Sequence, residues 1–304
     1  MQFPAVIRIV AFEFAGGDAF FLGLLLLTAA ALVAAWRDGP RVRAGFRLAT
    51  IGAAIVIAAS GTSLPLWFYG VGVALIVLSL WPRPLPAESL ALRRRFRAIV
   101  GSLALWCAVG GAWELSYRLP PRLDDRRSYD SLVVIGDSVS AGLLGPRERT
   151  WPKQFRERYF DKVVDLSAEG ATARSALRQA QALNARAENV SAVVLIEIGG
   201  NDFFESVPPA NFATDLDRLL TTLSGPNRQL VMLELPLPPF YNAYGRVQRE
   251  LAARHRVPLI TKREFAGVVF APNATLDTVH LSESGHARFA QMVWRHVGSL
   301  LRTP

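Results

Sequence analysis

Two hydrophobicity patterns divide the chain near residue 118. Before it, long charge-free apolar stretches are separated by arginine-rich segments; after it, short β-branched runs alternate with segments whose apolar positions recur at helical spacing. A helix needs about 20 apolar residues to cross a bilayer, and Ala19 to Trp36 supplies 18 without a charge. Glu13 and Asp18 precede it where a cleaved secretory signal carries a basic cluster, so the stretch is expected to be retained. Leu48 to Pro82 comprises 35 charge-free residues, too many for one span, and "SGTSLP" at Ser60 to Pro65 breaks it into a hairpin of two helices. The first of these is short unless Arg47 lays its aliphatic stem along the lipid. Ala98 to Trp113 forms a fourth stretch, with tryptophans suited to interfacial anchoring. The expected membrane domain is 1–117, with spans at about 19–36, 46–61, 64–81 and 98–115. Residues 1–18 fit either an amphipathic segment lying in the interface or a simple lead-in to the first span.

Residues 118–130, "RLPPRLDDRRSYD", read as a Pro- and charge-rich linker to a domain at 131–304. Five strands are expected there: Leu132 to Ile135, Val163 to Leu166, Ala192 to Ile198, Leu230 to Leu235 and Pro258 to Thr261. Helical periodicity lies between them at 171–186, 210–225 and 241–256, and a last helix is expected from about Ser282 to Leu301. Strand and helix in alternation predict an α/β fold with a parallel sheet.

Composition adds orientation. The formal charge of +9 comes almost wholly from arginine, since Lys153, Lys162 and Lys262 are the only lysines. Arginines flanking apolar stretches fit loops that face anionic lipid, and no nucleic-acid partner is expected. Arg37, Arg41, Arg43 and Arg47 fall in one expected loop, and Arg83, Arg93, Arg94, Arg95 and Arg97 in the next but one. The positive-inside rule makes both loops cytoplasmic, which places the second domain on the periplasmic side of a multi-pass inner-membrane protein. Arg118, Arg122, Arg126 and Arg127 oppose this, although a long translocated domain weakens their effect. Cys107 is the only cysteine, so neither an intrachain disulfide nor a cysteine zinc site is available.

In open parallel sheets the chemistry collects beyond the carboxyl ends of the strands. Ser138 follows the first expected strand in "VVIGDSVSAGL", Gly170 follows the second, Asn201 the third, and Asp277 and His280 precede the last helix in "DTVH". Serine becomes a nucleophile only with a base in hydrogen-bond reach and a third group to orient it. Of the four histidines, His255 and His296 read as solvated helix residues, whereas His280 stands three residues after a carboxylate that can fix its tautomer. An oxyanion needs donors, and the Ser138 amide, the Gly170 amide and the Asn201 side chain are candidates. Phe203, Phe204, Pro238, Phe240, Tyr241, Val268, Val269 and Phe270 either line an acyl groove or cap the core, with capping slightly favoured. Ser140 stands where Gly-x-Ser-x-Gly needs its second glycine, and neither a His-Glu-x-x-His motif nor a phosphate-binding loop is present.

These blocks, "GDSVSAG", "DLSAEGATA", "GGND" and "DTVHLSESG", resemble the SGNH, or GDSL, hydrolase family over roughly residues 130–302. The resemblance implies a flavodoxin-like α/β/α domain, a Ser138, Asp277, His280 triad and an oxyanion hole of Ser138, Gly170 and Asn201, with no metal or organic cofactor. "GDSVSAG", "LIEIGGND" and "ELPLP" look most like the branch of small acyl-hydrolases with thioesterase, arylesterase and lysophospholipase activity. Asp165, where that branch often has Asn, and the membrane part itself depart from it. The expected activity is that of a membrane-anchored serine ester hydrolase acting on a lipid or another envelope acyl ester. Two alternatives remain open at this level: an envelope polysaccharide O-acetylesterase or O-acetyltransferase, and a non-catalytic membrane scaffold.

Overall fold

A computed structural model describes the chain except for residues 1–3, 38, 82–89, 122, 124–125, 187–190 and 303–304. Arg83, Arg122 and part of the linker therefore lie outside the described residues, as does the side chain of Arg93. Five helices come first: α1 (Ala5–Ala15), α2 (Asp18–Trp36), α3 (Pro40–Ala59), α4 (Leu66–Leu80) and α5 (Leu90–Ser116). The second part follows as β1 (Ser131–Gly136), α6 (Ser138–Ala141), α7 (Trp151–Arg158), β2 (Val163–Asp165), α8 (Leu177–Arg186) and β3 (Ala192–Glu197). It continues through α9 (Gly200–Phe204), α10 (Pro209–Leu223), β4 (Arg228–Leu233), α11 (Asn242–His255), β5 (Leu259–Ile260), α12 (Lys262–Val269) and α13 (Glu283–Val297).

All five strands are parallel, in the order β2-β1-β3-β4-β5, so the fold is the expected α/β type with its switch point at β1 and β3. β3 is buried at every residue, which is why "AVVLIE" is apolar on both faces up to its last position. Helix α7 packs on α13, and α10 packs on both α8 and α11.

In the helical part α2 packs on α3 and α5, and α4 packs on α5, around Phe20, Leu27, Phe68 and Leu103. Trp106 stacks on Phe68 with centroids 4.6 Å apart while its indole N–H donates to the Phe68 carbonyl at 2.9 Å. The outward faces are apolar as well, with Leu25, Leu48, Ile55, Val73 and Leu105 all exposed. Among the described residues, three helices are long and apolar enough to cross a membrane: Asp18–Trp36, Pro40–Ala59 and Arg94–Ser116. α4, expected to be a span, has 15 residues and rises only about 22 Å, less than the hydrocarbon thickness of about 30 Å. Residues 60–65 before it leave the helical path, and the Ser60 and Gly61 carbonyls there accept hydrogen bonds from Asn242 and Lys262.

The arginine segments differ from expectation. Arg41, Arg43 and Arg47 lie on α3 and Arg94, Arg95 and Arg97 on α5, because Pro40 starts one helix at its first turn and arginine is itself a good helix former. Only Arg37 of the first set lies outside a helix. Residues 1–18 hold a helix of their own, α1, which a turn at Gly16 and Gly17 (φ 87°) separates from α2.

The start of α2, the end of α3, the start of α4 and the end of α5 all meet the second domain. Glu114 receives two hydrogen bonds from Arg249, at 2.7 and 3.0 Å, and lies 2.9 Å from the Lys262 ammonium. Arg249 also donates through Nε to Glu234 at 2.6 Å. All four side chains are at most 4% exposed. Lys262 donates to the Gly61 carbonyl at 2.7 Å, and Asn242 donates to the Ser60 carbonyl at 2.9 Å. Removing one member of a buried ionic set strands its partners without water. Glu114→Ala is therefore expected to destabilise the full-length protein by about 3–5 kcal/mol. Arg263→Ala, which removes an exposed partner of Asp18, should cost under about 1 kcal/mol; thermal unfolding in detergent separates the two.

Candidate active site

β1 runs out at Gly136, Asp137 caps the four-residue α6 by accepting the Val139 amide at 2.9 Å, and Ser138 opens that helix. The turn is tight: a Cβ on Gly136 would sit 2.6 Å from the Ser140 hydroxyl. That hydroxyl donates to Glu197 at 2.9 Å and accepts the Trp151 indole N–H at 3.0 Å, which locks α6 against the end of β3.

The segment before α13 folds back on itself through a bridge between Thr275 and Leu281. Asp277 Oδ1 accepts the amides of Val279 and His280 at 2.7 and 2.8 Å, and Oδ2 lies 2.7 Å from His280 Nδ1. A proton on Nδ1 leaves Nε2 as the acceptor. Burial pushes the Asp277 carboxyl upward, but the His280 ring and the two amides outweigh it and hold the group at about 2, so it is ionised throughout the neutral range. Asn201, at the start of α9, donates through Nδ2 to the Ala171 carbonyl at 3.0 Å and to Asp137 at 3.3 Å.

Ser138, Asn201, Asp277 and His280 line one cavity of about 1120 Å³. Among the described contacts no hydrogen bond joins Ser138 to His280; such bonds are often long before substrate binds. Gly170 is exposed, with φ 68°, and lies outside the cavity lining, although its neighbour Ala171 is bonded to Asn201. Phe203, Phe204, Pro238, Val269 and Phe270 line the cavity, whereas Val268 belongs to the core. Phe240 and Tyr241 are exposed and lie outside this cavity's lining.

Two acids complete the floor. Glu197 is driven well above the ordinary carboxyl range by burial and then by the neighbouring Asp137, and Asp137 itself is raised to about 6, chiefly by burial. Asp137 directly precedes Ser138 in the first block, and the signal for Glu197 in the sequence is an acid ending a fully apolar strand. His255 and His296, expected to be solvated, are partly buried because each packs beside an acid: His255 lies 2.7 Å from Asp217, and His296 lies 4.0 Å from Glu264. His286 is buried and structural, accepting the Trp151 amide at 3.1 Å and meeting Glu148 at 3.1 Å.

The Asp137 shift sets a pH trend. A carboxyl that binds its proton more tightly when folded makes stability fall as pH rises from its unfolded to its folded value, here from about 4 to about 6. Asp202, also raised to about 6 mainly by burial, acts in the same sense, while Asp277 acts oppositely at lower pH. Asp137→Asn keeps a capping oxygen and should make the decline in melting temperature over that window shallower than in the wild type.

The model of the GDSL-like lipase/acylhydrolase family matches residues 134–288. Esterase TesA of Pseudomonas aeruginosa is 28% identical over 191 residues, covering 59% of this chain and 93% of that one. Thioesterase 1/protease 1/lysophospholipase L1 of Escherichia coli K12 is 28% identical over 138 residues, which cover 43% of this chain and 65% of the relative. The crystal structure of TesA superposes with a TM-score of 0.50 at 28% identity, over 57% of this chain and all of that one. None of these three matches covers more than 59% of this chain. A parallel sheet with this strand order, a serine at the β1 turn and a matching model across half the sequence have one reading: the chain belongs to the GDSL-like lipase/acylhydrolase family of serine ester hydrolases.

Proposed function

We propose that this chain is a membrane-anchored acyl-hydrolase in which Ser138 is the nucleophile, His280 the general base and Asp277 the group that orients the ring. The observation that carries the reading is the Asp277–His280 pair, bonded at 2.7 Å, in the same cavity as Ser138. Ser138 Oγ attacks the ester carbonyl carbon as His280 Nε2 takes its proton. Collapse of the tetrahedral intermediate breaks the bond to the leaving oxygen, which receives that proton from His280. Water, deprotonated by the same nitrogen, then attacks the acyl-enzyme, and collapse of this second intermediate breaks the bond to Ser138 Oγ, which takes the proton back as the acid leaves. The Ser138 amide, the Gly170 amide and the Asn201 side chain are the proposed oxyanion donors. Asn201 would turn one N–H from its present acceptors toward the oxyanion, and the loop at 170 would close on it.

Residues 1–117 act as the membrane domain, 118–130 as the linker and 131–304 as the hydrolase domain in this reading. The extracytoplasmic placement is supported by the helix ends: those carrying Arg41, Arg43, Arg94 and Arg95 belong to the ends opposite the hydrolase domain.

A fluorophosphonate should label the wild-type protein at Ser138, and Ser138→Ala should abolish labelling and lower kcat on a simple aryl ester at least about 10³-fold. Asp277→Asn should lower kcat by about 10²–10⁴ with little change in KM. Undiminished turnover by Ser138→Ala would refute the assignment. Protease added to sealed right-side-out vesicles should digest the hydrolase domain, and its full protection would refute the orientation.

A further inference from the structure

The helix α1 lies outside the residues matched by the family, yet it builds one wall of the cavity that holds Ser138. Val6, Ile7, Val10, Ala11 and Phe14 face the cavity, a spacing that forms a single helical face. Leu235, Leu237, Pro238, Phe203 and Phe270 stand among the residues of the hydrolase domain that complete the lining. Among the described residues, the polar side chains in that lining are those of the Ser138 cluster, its two acids and Thr278. A cavity of about 1120 Å³ is larger than a typical small-ligand pocket of about 300–1,000 Å³.

α1 is also fixed to both parts of the molecule. Its Phe14 carbonyl accepts the Gly61 amide at 2.7 Å, Phe12 lies under the Arg263 guanidinium, and the Gly16–Gly17 turn joins it to the first apolar span. On its outward face Ile9 is 62% exposed. An apolar surface of this kind, continuous with a span, is matched by hydrocarbon and not by water.

We infer that α1 is the specificity-determining wall of an acyl-chain site open to the lipid layer, so that the enzyme takes long-chain acyl esters from the membrane in which it is anchored. This rests on the hydrolase reading above. The reacting carbonyl sits at the Ser138 cluster while the fatty chain runs along the α1 face, where each methylene removed from water strengthens binding. Short, water-soluble esters reach the same serine but leave that face empty.

The test uses the full-length protein in detergent micelles, with para-nitrophenyl palmitate and para-nitrophenyl acetate as probes and the ratio of their kcat/KM values as readout. Ala11→Phe fills the groove and Val10→Asp places a carboxylate in it; each should lower the palmitate-to-acetate ratio at least about tenfold. Ile9→Phe, on the outward face, should leave the ratio within about twofold of wild type. Binding of a non-hydrolysable single-chain ether lipid to Ser138→Ala, with and without Ala11→Phe, supplies a readout independent of turnover. Loss of ether-lipid binding on adding Ala11→Phe supports the acyl site even if no ester is turned over, a result that would instead sink the hydrolase reading. Unchanged ratios in both α1 variants and unchanged ether-lipid binding on adding Ala11→Phe, with catalysis intact, would overturn the inference and leave the hydrolase reading standing.

Discussion

The helical part, and with it the α1 wall of the cavity lined by Ser138, is joined to the sheet by the buried ionic set of Glu114, Arg249, Lys262 and Glu234. Two of these residues come from α11 and α12, one from the end of β4 and one from the last turn of α5, so the set ties the helical part to the sheet at the strand ends where the chemistry sits. Burying four charges is costly unless each is matched, and here the two acids and two bases neutralise one another while the Gly61 carbonyl accepts a further N–H of Lys262. Burial lowers the affinity of Lys262 for its proton, but Arg249 is held more firmly charged because its two carboxylates outweigh the same burial. The geometry leaves little freedom for the two parts to slide, since Arg249 is gripped through both its fork and its Nε.

This docking explains features that look unrelated along the chain. The break at residues 60–65, where the Gly61 amide binds Phe14 and the Ser60 carbonyl binds Asn242, is a polar stretch with partners on both sides. α4 begins late because that stretch is used for contact and not for helix. The carboxyl end of α1, which lines one wall of the cavity, is bonded to the same stretch. A hydrolase domain of ordinary architecture thus gains an additional wall from the part of the chain that precedes it.

Much of the fold was legible in the sequence because parallel strands buried on both faces are written as continuous β-branched runs, and each of the five appears within three residues of its expected bounds. The apolar helices were legible for the related reason that charge-free stretches of such length have few other uses. Ser138, Asn201, Asp277 and His280 were legible as strand-end motifs, and they meet in one cavity. What the sequence hid was pairing at a distance. Glu114 is 135 positions from Arg249, and its one visible trace is a single acid near the end of an apolar stretch. The same holds for Glu197 beneath Asp137, and for α1, whose eleven residues are compatible with an interfacial helix or a lead-in until a neighbouring domain supplies the other half of the groove.

The Asp277 carboxylate binds the backbone of Val279 and His280 as well as the ring of His280, and the Leu276 amide donates to the His280 carbonyl at 2.8 Å. Acid and imidazole therefore travel as one clip. In the mechanism proposed above, the placement of this loop sets the ring-to-hydroxyl separation without altering the pairing of acid and ring. In that mechanism a guest entering the cavity has one link to complete, that from hydroxyl to ring, because the link from acid to ring is already made.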